Sequence, residues 1–300
     1  MLIKNFFVLI FHRIIFYLKL EEIIYFLSKR FSLPSWKLIP QNNLYKKNNK
    51  INCKRENLFF NIERHDFTHW QIYAGYPECH FMAFQMCKIK SGIVLDIGSH
   101  IGVFSLKVAQ FKRINNLKKL NIHAFEPCNE TFENLSKNIS INQLESFIYT
   151  KKYALSNLNK ESWIEKNSSN SGGNRINLIG NKNSENFEKI ITKRLDDHNF
   201  DDESIKFLKI DTEGHEIDVI EGGKNTIEKF KPSIFLEVSE ELYLKTGKTF
   251  LDTFEQLREY YAKFYIEKID YSVSFQVASA SEVITKIKMK KTFNMLITNQ

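Results

Sequence analysis

Apolar residues along this chain follow three different rhythms. In the first, Phe6 to Phe11 and Ile14 to Leu18 are apolar runs broken by His12, Arg13 and Lys19, short of the roughly 18 uninterrupted residues of a membrane-spanning helix. On a helix, Asn5, His12 and Lys19 recur at a seven-residue interval and draw one narrow polar stripe along an otherwise apolar rod. No small-residue cleavage pattern follows, so the segment does not read as a secretory leader. Two readings stand: a helix that packs on the rest of the protein or on a second copy in a homo-oligomer, and a membrane-surface contact through residues 1–31.

The second rhythm is polar. Gln41 to Asn57 is rich in Asn and Lys and reads as a solvated linker, which makes residues 1–57 a helical extension with its linker and residues 58–300 the main domain. Leu58 to Lys90 carries many aromatics with His65, His69 and His80, and is expected to supply a helix or two that caps a sheet. His65 and His69 would share a helix face, but no HExxH pattern or cysteine pair accompanies them, so they read as hydrogen-bonded or substrate-facing histidines rather than metal ligands.

The third rhythm alternates short apolar runs with helical periodicity. Ile93 to Ile97 is a strand, Val103 to Phe111 a helix, Leu120 to Phe125 a strand, Cys128 to Ile141 a helix and Phe147 to Tyr153 a strand, the first half of a doubly wound α/β sheet. Ser156 to Ser184 is polar and reads as a loop or hairpin excursion. Phe207 to Ile210, Glu216 to Phe230 and Ser233 to Val238 give a strand, a helix and a strand. A helix around Phe250 to Tyr261 follows, and Phe264 to Ile269 with Phe293 to Thr298 close the sheet as an antiparallel pair. Composition adds two points. A formal charge of +8 favours anionic neighbours without naming one, and four cysteines without CxxC spacing argue for reduced, inert thiols in a cytoplasmic setting.

Three constellations carry candidate chemistry. Val94-Leu-Asp-Ile-Gly-Ser-His-Ile-Gly102 is a strand entering a turn with glycines at Gly98 and Gly102, where backbone can approach a ligand and a helix N-terminus offers free N–H groups. The glycines are four apart, unlike the dinucleotide fingerprint, and Asp96 would repel a pyrophosphate but accept hydrogen bonds from an amino-acid ammonium. That favours S-adenosylmethionine over NAD. Ala124-Phe-Glu-Pro127 ends the next strand with Glu126, a carboxylate placed for ribose hydroxyls. Phe207-Leu-Lys-Ile-Asp-Thr-Glu-Gly-His-Glu216 places Asp211, Glu213, His215 and Glu216 where a strand passes into a helix, and Glu237 ends a neighbouring strand. Glu216 reads as a helix N-terminal charge, Asp211 as functional.

The segments VLDIGSHIG, AFEP, YALSN, RLDDH, FLKIDTEGHEIDVIEGG and IFLEVSE, in this order and spacing, resemble the FkbM family of methyltransferases over about Val94 to Glu240. The resemblance implies a class I methyltransferase (Rossmann-like) fold with a mostly parallel seven-stranded sheet, S-adenosylmethionine as cofactor, and O-methylation of a sugar, glycan or related small acceptor. By the same match Asp96, Gly98 and Gly102 face the methionine part, Glu126 the ribose, Leu155 and Ser156 the adenine, and Asp211 the transferred methyl group. Ser99 and His100, in the same turn, are counted among the cofactor-binding residues, although the family often has Ala-Asn at these two positions.

A hydroxyl needs a base to become a nucleophile, and the candidates are His215 and Glu237, with Asp211 positioning the methyl group or the acceptor. A divalent metal on Asp211, Glu213 and Glu237 is the alternative to a metal-free site. Nucleic acid is disfavoured as a partner, since the Asp-Thr-Glu-Gly turn is acidic and neither an Asn/Asp-Pro-Pro-aromatic turn nor a cysteine nucleophile pattern is present. The non-catalytic rival is a binding or scaffold module in glycan assembly.

Overall fold

The computed structural model describes residues 2–47, 49–177, 184–200, 203–268 and 274–299, with the backbone alone for residues 2–7 and 9. The chain divides into two compact units, residues 1–77 with 167–172, and residues 78–166 with 173–300. The first unit thus runs past residue 57, and the reason lies in the stretch that reads as linker.

In the first unit, helices α1 (Leu2–Leu18) and α2 (Glu21–Arg30) precede a hairpin of β1 (Lys50–Arg55) and β2 (Leu58–Glu63), then helix α3 (Phe67–Ala74). Strand β1 exposes Lys50, Asn52 and Lys54 while burying Cys53 and Arg55, a period of two that polar composition conceals. Glu56 and Asn57, both at positive φ, make the two-residue turn that suits the twist of a hairpin. Arg55 is 4% exposed and ties the unit together. Its Nε donates to the Tyr73 carbonyl at 2.7 Å, its two terminal nitrogens reach Glu22 at 3.0 Å each, and it lies over the Tyr25 ring at 4.0 Å. His12 faces inward, with Nε2 3.3 Å from the Lys37 carbonyl, and His69 Nδ1 accepts from the Glu63 N–H at 3.1 Å. No helix among the described residues is long and apolar enough to cross a membrane.

The second unit contains helix α4 (Cys79–Met86), strand β3 (Gly92–Ile97), α5 (Val103–Ile114), β4 (Leu120–Phe125), α6 (Asn129–Ile141) and β5 (Ile148–Lys151). Short strands β6 (Ala154–Leu155), β7 (Lys160–Glu165), β8 (Arg175–Ile176) and β9 (Phe187–Lys193) follow. Then come β10 (Ile205–Ile210), α7 (Glu216–Gly222), α8 (Lys224–Phe230), β11 (Ser233–Val238), α9 (Glu240–Leu244) and α10 (Phe250–Leu257). The chain closes with β12 (Lys263–Glu267), β13 (Phe275–Ala278), α11 (Ala280–Lys288) and β14 (Phe293–Thr298).

The main sheet runs β13-β12-β14-β11-β10-β3-β4-β5. From β5 to β11 the pairs are parallel, and the order reverses between β3 and β10, which makes their carboxyl ends the switch point of a doubly wound sheet. Strand β14 enters antiparallel between β11 and β12, as the two closing runs suggest. The expected α/β class I fold is therefore present, with a correction: among the described residues the sheet has eight strands rather than seven, because β13 adds an antiparallel edge to β12. Strand β13 escapes sequence reading because edge position leaves Gln276 and Val277 exposed and the apolar alternation weak.

Two other differences bear on the site. The polar excursion after residue 156 contains β7 and β8, which join β6 and β9 in a separate four-stranded sheet; residues 178–183 of it lie outside the described residues. The single helix expected from Glu216 to Phe230 is split at Gly222 and Gly223. A Cβ on Gly222 would stand 1.9 Å from the Ser156 carbonyl oxygen, so the glycine admits the backbone of the β6–β7 connection against α7.

Candidate active site

At the switch point three strand ends are joined through backbone. The N–H groups of Gly98 and Ser99 donate to the Phe125 carbonyl at 3.0 and 2.9 Å, and the Asp211 N–H donates to the Ile97 carbonyl at 3.1 Å. Gly98, at φ +76°, leaves no room for a side chain: a Cβ would lie 1.9 Å from the Asp211 carbonyl oxygen. The glycine of this turn thus answers to the neighbouring strand, where sequence alone assigned it to ligand approach. Glu126 completes the turn by accepting from the His100 N–H at 2.9 Å with one oxygen, and from the Cys128 N–H at 3.0 Å and the Thr131 hydroxyl at 2.7 Å with the other. Burial raises its pKa against the pull of those donors. Ser99 Oγ, in a residue 4% exposed, has no hydrogen-bond partner among the described residues.

Behind the turn lies a chain of alternating charges. Lys209, buried in β10 beside Asp96 of β3, donates to the Gly98 carbonyl at 2.6 Å. Its Nζ is 3.3 Å from Asp96 Oδ1, a distance of ion pairing without a directed hydrogen bond, and 3.5 Å from Asp211 Oδ2. Asp96 is 0% exposed, and its other oxygen accepts from Ser105 Oγ at 2.6 Å, so it shapes the turn from behind and does not line a ligand crevice. On the far side of Asp211, His80 Nε2 lies 3.2 Å from Oδ2, while His80 Nδ1 meets Glu78. Burial opposes charge on His80, but Glu78 and Asp211 together hold it up at about 10. Burial likewise opposes charge on Asp211, and Lys209 and then His80 overcome it, so the carboxylate stays ionised far below neutrality.

In front of Asp211 the balance reverses. Asp211, Glu213 and Glu237 each bring a carboxylate oxygen within 4.8 Å of the others. Burial, then the charges of Asp211 and Glu237, push Glu213 up to about 8; burial, then Asp211 and Glu216, push Glu237 up to about 7. These two acids are poised to exchange protons near neutrality, and the same three oxygens could ligate a divalent cation. Glu216 instead builds the loop: its carboxylate accepts from the Thr212 N–H at 2.7 Å and from the Gly214 N–H at 3.1 Å.

His215 and Ser156 form a neighbouring group. His215 Nε2 lies 2.9 Å from Ser156 Oγ and its Nδ1 3.4 Å from Asp218, while burial lowers its pKa despite Asp218. A neutral ring donating to Asp218 and accepting from Ser156 satisfies all three. Both residues line a cavity of about 470 Å³ with Glu213, Lys160, Arg175 and Lys248. Leu155, 1% exposed, packs in the core beside it.

The structure therefore brings the turn from Gly98 to Gly102 together with Glu126, and Asp211 together with Glu237. It keeps His215 and Ser156 apart as a pair, linked to the carboxylates through Glu213. Sequence reasoning missed Lys209, Glu78 and His80. A lysine in the apolar run Phe207-Leu-Lys-Ile210 was a usable signal, since a buried strand tolerates it only opposite an acid. Glu78 and His80 carried no spacing signal that tied them to Asp211.

A family model described as the methyltransferase FkbM domain matches residues 96–271. No curated protein matches the chain. Among solved structures, methyltransferase FkbM from Methylobacillus flagellatus KT is 15% identical with a TM-score of 0.41, over 69% of this chain and 44% of that one. This chain thus spans less than half the length of that protein. A TehB-like SAM-dependent methyltransferase from Corynebacterium glutamicum is 6% identical with a TM-score of 0.41, over 78% of this chain and 95% of that one. A Pyrococcus abyssi tRNA (uracil-54, C5)-methyltransferase in complex with S-adenosyl-L-homocysteine is 12% identical with a TM-score of 0.37, over 83% and 43% of the two chains.

Proposed function

The chain belongs to the FkbM methyltransferase family, and from that premise we propose that it transfers a methyl group from S-adenosylmethionine to a hydroxyl oxygen of a small polar acceptor such as a sugar or glycan. The observation that carries the oxygen assignment is the carboxylate trio of Asp211, Glu213 and Glu237, two of whose members titrate near neutrality. An amine or thiolate acceptor has little need of such a base, whereas a hydroxyl gains roughly 10²–10⁴ in rate from one.

The cofactor has residues that suit it. Ser99 Oγ lacks a partner inside the fold, and Glu126 uses three of the roughly four lone-pair sites a carboxylate offers, which leaves capacity for a ribose hydroxyl. His100 and Gly102 belong to the same turn, the His100 N–H donating to Glu126. When bound, S-adenosylmethionine supplies an electrophilic methyl group for in-line displacement. Asp211, held ionised by Lys209 and His80, orients the acceptor or the methyl-bearing centre. Glu237 or Glu213 removes the acceptor proton at a carboxylate oxygen, and His215 acts from the cavity wall through its contact with Ser156. Lys160, Arg175 and Lys248 give that cavity a basic side.

The test is transfer of labelled methyl from S-adenosylmethionine to methyl glycosides and nucleotide sugars, with Glu213→Gln and Glu237→Gln beside the parent. One of the two should lose about 100-fold or more in kcat and the alkaline rise of its pH profile. Full turnover by both would sink the base assignment, and no calorimetric binding of S-adenosylhomocysteine would sink the cofactor. A second reading, a divalent cation on the same three oxygens, predicts that excess chelator abolishes activity.

A further inference from the structure

Helices α1 and α2 are amphipathic the wrong way round for a water-facing surface. On α1 the exposed side includes Phe11, Ile14 and Tyr17, the last 76% exposed, while His12 and Ile15 are buried. On α2 and just beyond it, Ile23, Phe26 and Phe31 are exposed, both phenylalanines at 67%, while Glu21 and Ser28 are buried. The spacings Phe11, Ile14, Leu18 and Ile23, Phe26, Leu27 each trace one face of a helix. Helix α2 holds to its unit through polar chemistry: Tyr45 Oη donates to Glu21 at 3.2 Å, Arg64 lies 3.8 Å from Glu21, and Arg55 grips Glu22; α1 adds the buried Ile15, and Phe16 with its ring 5.4 Å from the Tyr45 ring. Helices that turn Glu21 and Ser28 inward while Phe11, Tyr17, Phe26 and Phe31 face out present a surface built for apolar surroundings.

The charges on that surface select the occupant. Arg13, Lys19 and Arg30 are exposed beside the apolar residues. Among the described residues of the two helices the only exposed acid is Glu22, and Arg55 already holds it. A second copy docking face to face would bring like charges together. An anionic lipid surface meets both features at once, with aromatics entering the boundary between headgroups and chains, and Arg and Lys on phosphate. We infer that the α1–α2 face is a membrane-surface anchor, which lies in the plane of an anionic leaflet without crossing it and holds the catalytic unit near lipid-linked or surface-bound acceptors.

Flotation of the full chain with vesicles of phosphatidylcholine plus phosphatidylserine, and of phosphatidylcholine alone, tests this. The parent should float with the mixed vesicles and several-fold less with the neutral ones. The Arg13→Gln, Lys19→Gln, Arg30→Gln variant should lose about fivefold per charge on mixed vesicles at low salt. The Phe26→Ser, Phe31→Ser variant should lose at least about tenfold on them. Thermal melting and S-adenosylhomocysteine binding check that variants fold, and Tyr17→Ser serves if the double change does not. A parent that stays in the aqueous phase with both vesicles overturns the inference. So does a dimer on gel filtration that Phe26→Ser, Phe31→Ser converts to monomer while vesicles bind neither form, since the face would then belong to a second copy.

Discussion

Replacing Lys209 by Met is the most searching perturbation of the site's construction. Methionine keeps the length of the side chain and removes the one cation that touches Asp96, Asp211 and the Gly98 carbonyl. Asp96, at 0% exposure, would keep only Ser105 as a side-chain partner among the described residues. Breaking one side of a buried ion pair costs about 3–5 kcal/mol, since the remaining charge has neither water nor a counter-ion. At roughly 2–4 °C per kcal/mol for a domain of this size, the melting temperature should fall by about 6–20 °C. The companion variant, Lys209→Met with Asp96→Asn, removes the stranded charge and should recover more than about 1.5 kcal/mol of the loss, a coupling readable in a double-mutant cycle. The acid limb gives a second check. Asp211 has a folded pKa below its ordinary 3.8, so its contribution is present above that value and is lost as pH falls through the folded pKa. Lys209 supplies much of that depression, so the gap between parent and variant should narrow as pH drops below about 4. A single variant within about 1 kcal/mol of the parent at pH 7, or losses that simply add, would refute the claim that Lys209 holds the acids in place.

Three further outcomes are expected. Glu213 and Glu237, raised to about 8 and about 7, bind protons in the folded protein that the unfolded chain has released, so stability should decline as pH rises through 7 and 8, and Glu237→Gln should flatten that slope in melting curves. Gly98→Ala forces a methyl group onto the Asp211 carbonyl and an unfavourable φ, so soluble yield or denaturant midpoint should fall sharply; a parent-like midpoint would show that the turn is not so crowded. Arg55→Met removes the Tyr73 carbonyl contact, the Glu22 pair and two aromatic stacks, and should cost on the order of 2 kcal/mol in urea unfolding of the first unit.

The order of strands and helices from Ile93 to Val238 was legible because each buried strand is a short apolar run and each helix a periodic one, patterns that water enforces locally. The same logic located Gly98, Glu126, Asp211 and Glu237 at strand ends. Strand β1 and strand β13 were not legible, since their exposed outward faces dilute the apolar alternation, although each pairs with a strand next to it in sequence. Nor could spacing tell that Asp96 looks inward to Lys209, that His80 reaches Asp211 across well over a hundred residues, or that Glu213 joins Glu237. Those facts turn on which side chains share a low-dielectric space. That is decided by how the strand ends converge, and no window of sequence contains it.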